Sequence, residues 1–178
     1  MKGYKSTTAD WTKTFQVSWS GMEGLKVGGS VTMNDAPKDD GTSVGVNLTE
    51  INATYSKNNI YSRLEYGTIS YDDNVVDGVE VESSSGYYLD LGYNIAELVG
   101  CDDSDLFLWT RMSSYSKDDD DEMTDNNISL FGLTYKPTNN IALKFEVGTH
   151  EKWSDWNDDG TKTKGDADVM RMGLGYMF

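Results

Sequence analysis

The chain has a single cysteine, Cys101, and a single histidine, His150, among 178 residues. No internal disulfide can form, and a zinc site built on several Cys or His ligands is excluded. The same scarcity leaves no convergent set of nucleophile, base and stabiliser, so the chain reads as a non-enzyme. Positive charge is short as well, with 15 Lys and Arg against 30 Asp and Glu and a net charge of -15. Phosphate binding needs basic patches, which argues against nucleic acid as a partner. No hydrophobic run approaches the ~18 residues of a membrane helix. Met1 to Thr8 lack the apolar h-region of a secretory signal, and residues 1–10 carry no readable period.

A two-residue alternation is present instead, nine times over. Phe15, Val17 and Trp19 alternate with Thr14, Gln16 and Ser18, and after the Gly21 to Gly24 turn Leu25, Val27, Gly29, Val31 and Met33 alternate with Lys26, Gly28, Ser30 and Thr32. The third run changes phase: Val44, Val46 and Leu48 share one parity and Ile51, Ala53 and Tyr55 the other, and a bulge near Thr49-Glu50 is expected to reconcile them. Ser56 to Asn59 turn the chain into a fourth run with Leu64 and Tyr66. Further runs set Tyr87, Leu89, Leu91 and Tyr93 against Asp90, Gly92 and Asn94, and Leu106, Leu108 and Met112 against Phe107, Trp109, Arg111 and Ser113. The next two place Phe131, Leu133 and Tyr135, then Ile141, Leu143, Phe145 and Val147, on one parity, with a tight turn at Lys136 to Asn140 between them. Successive strand side chains point to opposite faces, so each run makes a strand with one apolar and one polar face. Nothing reads as a helix, and residues 1–178 form a single all-β domain.

The last run is the most telling. Met170, Met172, Leu174, Tyr176 and Phe178 occupy one face, while the other carries Arg171, Gly173 and Gly175. An exposed greasy strand at a chain end invites aggregation in water, whereas a lipid-facing strand requires that pattern. Here the sequence resembles bacterial outer-membrane β-barrels, whose final strand alternates apolar residues and ends in Phe. Low mean hydropathy does not oppose this, because barrel strands are apolar on one face only. Connections alternate in kind, compact near residues 22, 58 and 138 and long and acidic near 38, 78, 122 and 160. Barrels pair short periplasmic turns with long external loops in this way. Residues 34–43 sum to -2, 72–83 to -5, 116–127 to -5 and 151–168 to -3, together the whole net charge. The acidic run Asp118 to Glu122 is expected to be solvated.

The expected fold is therefore an antiparallel transmembrane β-barrel in the bacterial outer membrane, with outer-membrane lipid against its apolar face. Nine strands is an odd number and single-chain bacterial barrels are even, so the chain is expected to be the C-terminal part of a larger barrel, unless residues 1–10 hide a tenth strand. By parity, Lys26, Arg63, Arg111, Lys144 and Arg171 point inward with Glu65, Asp90 and Glu146, giving a lumen that leans positive. These eight are the candidate pore-lining residues; they either guide solutes as a charge ladder or neutralise one another within the wall.

Three stretches, Gly86 to Tyr93, Phe107 to Arg111 and Gly132 to Lys144, with the ending Gly173 to Phe178, resemble the C-terminal half of the phosphate-selective porin family. That resemblance covers residues 45–178 and implies a large homotrimeric outer-membrane channel for passive diffusion of small hydrophilic solutes or ions, anions such as phosphate among them. The acidic loops depart from a simple anion-attracting mouth, so only the porin-like character carries over. The reading from a different class is a non-catalytic all-β surface adhesin or structural outer-membrane protein whose acidic loops bind divalent cations. No cofactor is expected beyond one calcium candidate. Asp155, Asn157, Asp159, Gly160 and Asp166 fit EF-hand loop positions 1, 3, 5, 6 and 12, with Asp in place of the final Glu and strands where helices should flank; the alternative is an ordinary solvated loop.

Overall fold

Alternating side chains and antiparallel hairpins build one continuous meander. The computed structural model describes residues 11–37, 43–72, 75–76, 79–101, 103–154 and 161–177. Its strands are β1 (Thr12–Met22), β2 (Leu25–Pro37), β3 (Ser43–Lys57), β4 (Ile60–Tyr71), β5 (Val75–Val76), β6 (Val79–Glu80), β7 (Ser83–Asn94), β8 (Asp105–Ser116), β9 (Asn126–Thr138), β10 (Ile141–Trp153) and β11 (Lys164–Tyr176). Nine of them form one antiparallel sheet in the order β1-β2-β3-β4-β7-β8-β9-β10-β11, and β5 with β6 makes a small hairpin within the connection that follows β4. The sheet is open: among the described residues β1 pairs only with β2 and β11 only with β10. The rest is two single turns of 3-10 helix, Glu97–Val99 and Glu122–Thr124. No helix among the described residues is long and apolar enough to cross a membrane.

Register puts the apolar parities of all nine strands on one face. One cross-strand row runs Trp19, Val27, Ala53, Leu64, Leu89, Met112; another runs Tyr93, Leu108, Leu133, Phe145, Met172. This face is bare, with Val17 76% exposed, Leu174 73% and Met172 83%. The opposite face is polar yet better covered: Asp90 is 8% exposed and Glu146 5%, beside Leu130 at 3%. No second layer among the described residues covers it, so the sheet curls with its polar face concave, where side chains converge on one another.

The bulge expected at Thr49-Glu50 is absent. β3 pairs with β2 from Leu25↔Tyr55 to Pro37↔Ser43 and with β4 from Val46↔Tyr71 to Lys57↔Ile60 without a shift in register. The change of phase is instead a change of face: Ile51, Ala53 and Tyr55 join the bare convex face, and Val44, Val46 and Leu48 lie on the concave one, where Val44 is buried. Two-residue turns set this register. Asn58 and Asn59 both have positive φ, 55° and 65°, the conformation of a type I′ hairpin turn, which Asn tolerates better than most side chains. The turn expected at Lys136 to Asn140 is tighter than the sequence suggests, since β9 runs through Thr138 and leaves only Asn139 and Asn140.

The acidic run after β8 is not simply solvated. Asp118 is buried, its N–H donates to Thr124 Oγ1 at 3.0 Å, and Asp119 accepts from the Ser83 and Ser85 hydroxyls at 2.8 and 2.7 Å. These bonds hold the loop down on the start of β7.

Replacing Asn59 with Val forces a β-branched residue into the left-handed region at a cost of about 1–2 kcal/mol. The denaturant midpoint in detergent should fall with an unchanged slope, and an unchanged midpoint would mean that this turn does not set the β3–β4 register.

Candidate functional site

The concave face collects the charges of the middle strands. Lys26, Arg63, Asp90 and Arg111 share one cross-strand row, through Thr54 between the first two. Asp90 takes the Arg111 guanidinium in a two-pronged grip, Nε to Oδ1 at 2.5 Å and Nη2 to Oδ2 at 2.6 Å. A fork against a carboxylate fixes direction as well as charge, which a single contact does not. One row along, Arg63 donates to Glu65 at 2.9 Å and the Tyr88 hydroxyl donates to the same Glu65 oxygen at 2.8 Å. Both guanidinium groups also lie over the Tyr88 ring, at 5.3 and 5.2 Å from its centre. Tyr88 thereby links the two ion pairs into one cluster.

A second cluster sits across β10 and β11. The buried Glu146 carboxylate meets Lys144 at 2.7 Å and Arg171 at 3.0 Å. The Lys144 contact is an ion pair whose angles fall short of a hydrogen bond, so Oε2 has charge compensation without a hydrogen-bond donor. Lys144 Nζ also stands 4.4 Å from the centre of the Trp109 indole, whose Nε1–H donates to Thr134 Oγ1 at 3.0 Å. Trp109 lies down on Gly132: a Cβ there would come within 2.0 Å of its ring. Only glycine leaves room for the indole against the wall.

The eight residues predicted from parity all lie on the concave strand face, and the structure brings seven of them together as partners. Lys26 has no ion-pair partner among the described residues. Glu50 was missed, because the supposed bulge blurred its parity. It lies on the concave face, accepting from Ser30 Oγ at 3.1 Å and from the Asn52 amide. With Lys136 and Lys152 on the same face of β9 and β10 and Asp105 on that of β8, the strand charges there are Lys26, Arg63, Arg111, Lys136, Lys144, Lys152 and Arg171 against Glu50, Glu65, Asp90, Asp105 and Glu146, a positive excess of two, as the sequence suggested. Trp109, Phe107, Tyr61 and Tyr88 were also missed as site residues. Their signal was aromatic rings on the otherwise polar parity.

Of the calcium candidates, Asp155, Asn157 and Asp159 lie outside the described residues. Asp166 is on β11, on the convex side opposite Glu151. Among the described residues no group of three or more His, Cys, Asp or Glu side chains is arranged to hold a metal ion. Glu151 instead takes Lys164 at 2.6 Å and the Asn127 amide at 3.0 Å, two rows beyond Val147 and one before Trp153 at the end of β10. These two partners hold its carboxyl below the ordinary range. Their stabilisation is complete above the unfolded-state pKa and is lost as pH falls through the lower folded one.

No protein-family model matches this chain, and a search of curated proteins returns no significant match.

Arg111→Gln strands the nearly buried Asp90 carboxylate. The expected cost is about 2 kcal/mol, below the usual 3–5 for a buried pair because the guanidinium is partly hydrated. The double variant Asp90→Asn/Arg111→Gln should recover part of that loss in denaturant titrations, and additive losses would show the fork to be uncoupled.

Proposed function

We propose that this chain forms the wall of a porin-like outer-membrane channel that passes small hydrophilic solutes or ions, with the convex face against lipid and the concave face toward a water-filled lumen. The observation that carries the reading is a diagonal of tyrosines. Tyr55, Tyr93, Tyr135 and Tyr176 lie on the convex face of β3, β7, β9 and β11, every second strand, and each sits one cross-strand row, two residues, further toward the short-turn end than the last. Two residues rise ~6.8 Å and two strand spacings span ~9.6 Å, so the line crosses the strands at a slope of about 35°. Barrel strands tilt by roughly 35–45° from the axis, and a girdle of aromatic residues level with the membrane plane must climb the sheet at that angle.

The long-loop edge of the apolar band slants the same way. It descends from Phe15 and Met33 on β1 and β2 through Tyr66 and Tyr87 on β4 and β7 to Met112 on β8, then Val147 and Met170 on β10 and β11, with Trp153 of β10 standing beyond it. Soluble twisted sheets and barrels slant their rows as well, but they cover the apolar side. Water would not tolerate this face, since each large side chain left bare forgoes about 1.5–3 kcal/mol of burial. Summed over the band, that loss exceeds the ~5–15 kcal/mol by which domains are stable. Closure into a barrel, with further strands beyond β1 and β11, and a trimeric parent both belong to this proposal.

The protein should remain with the membrane fraction after carbonate washing. Leu143→Lys, on the lipid side, should lower folding stability in bilayers by about 2–4 kcal/mol, while Lys144→Leu on the lumen side should cost less. Release by carbonate, or the reverse order of the two variants, would favour the soluble adhesin.

Charge selectivity follows from placement. The wall carries a cationic excess of two among its described strand residues, and the acidic loops oppose it over a distance set by salt. Reversal potentials of the channel in planar bilayers should therefore move toward anion selectivity between ~0.01 M and ~1 M salt, as the Debye length falls from ~30 to ~3 Å. A cation preference persisting at high salt would place control in the lumen carboxylates, Glu50 among them.

A further inference from the structure

We infer that the concave wall carries a binding subsite for a small organic anion with a flat ring, an aromatic carboxylate in chemical class, at a groove of about 390 Å³ between β4 and β10. The inference rests on the channel reading for its role, in which the subsite would select among passing solutes. Its floor is aromatic and glycine. Tyr61, Gly92 and Trp109 are consecutive in one cross-strand row, and a Cβ on Gly92 would stand 3.3 Å from that of Trp109 and 3.8 Å from that of Tyr61. The glycine thus leaves the row without a side chain between Tyr61 and Trp109, whose backbones are ~9.6 Å apart, two strand spacings, with the indole of Trp109 turned toward Gly132. A planar ring fits in such a slot, and stacked or edge-on aromatic contacts add about 0.5–1.5 kcal/mol beyond area burial.

The rim is cationic. Arg111, Lys136 and Lys144 line the groove with Asp90 as the only carboxylate. Arg111 is committed to Asp90, and Lys144 to Glu146. Lys136 stands opposite Asp105 in the β8–β9 pairing, but Asp105 accepts from the Asn94 amide and the two are not at ion-pair distance; the Lys136 ammonium stands 5.4 Å from the centre of the Phe107 ring. An unpaired ammonium beside aromatic surface suits a ligand whose carboxylate meets Lys136 while its ring enters the slot. Inorganic phosphate would use the charge and leave the slot empty. A neutral aromatic would do the reverse.

The test uses the full chain folded in detergent micelles, with benzoate, acetate and inorganic phosphate titrated while the Trp109 indole N–H resonance is followed, its assignment fixed by loss of the peak in Trp109→Phe. Benzoate should shift that resonance saturably and bind at least about tenfold more tightly than acetate or phosphate, a difference of ~1.4 kcal/mol. Lys136→Gln should weaken benzoate about tenfold, and Gly92→Val, which fills the slot, should abolish the difference between benzoate and acetate. Acetate or phosphate binding as tightly as benzoate, or benzoate binding unchanged in Lys136→Gln, overturns the inference. Micelle binding needs no passage across a membrane. A chain that conducts without preferring benzoate therefore defeats only the subsite, and one that binds benzoate yet never enters bilayers defeats only the channel.

Discussion

Antiparallel register is the constraint on which the rest depends. A strand's side chains have a period of two, so a slip of one residue in any pairing would carry that strand's whole apolar set to the other face. From β1 to β11 no pairing makes that exchange. The irregularities between Trp19 and Met22 and between Ile141 and Leu143 lie at strand ends next to turns, where they leave the middle of the ladder in phase. Both the bare convex face and the charged concave one are products of that phase. A charge cluster such as Asp90 with Arg111 exists only because their strands meet at that pair.

The concave face also shows why its charges are paired where they are. A carboxylate at 5 or 8% exposure cannot remain ionised cheaply without partners. Asp90 and Glu146 each sit beside guanidinium or ammonium groups, whereas Lys26 stays exposed and unpaired among the described residues. Aromatic side chains among these charges have a second effect. Tyr88 between two guanidinium groups and Trp109 under Lys144 hold long flexible cations at fixed places, at about 0.5–1 kcal/mol for each such contact. The wall is thereby given a definite electrostatic pattern instead of a cloud of mobile charges.

The nine strands of the main sheet, most facing assignments and eight of the twelve charged strand residues of the concave face were legible in the sequence because period two survives without knowledge of partners. What was not legible depended on partners. The phase change in β3 reads as a bulge from sequence, since a single strand cannot tell a kink from a change of environment, and Glu50 was lost with it. The acidic loop after β8 reads as solvent-exposed from its charge. Only the nearness of Ser83, Ser85 and Thr124, residues distant in sequence or on another turn, reveals that it is tied down. The tyrosine diagonal was equally invisible, because each tyrosine looks like one more apolar position until register relates it to the next strand but one.

The β3 phase change then finds its place in the tilted band. On β3, β4 and β7 the convex positions beyond its long-loop edge are polar: Asn47 and Thr49, Thr68 and Ser70, Ser83 and Ser85. In the membrane-spanning reading this part of the sheet stands clear of lipid with water on its convex side, so its apolar residues must turn inward to be covered at all. Val44 and Leu48 do so, and Leu48 lines a groove with Ile69, Tyr71 and Tyr115 on the same concave side. At the other end the tyrosine line comes close to the short turns, Asn58-Asn59 and Asn139-Asn140, and no comparable inversion occurs. An asymmetry in loop length is therefore matched by an asymmetry in which face is apolar. Both follow from strands that outrun the apolar band at one end only.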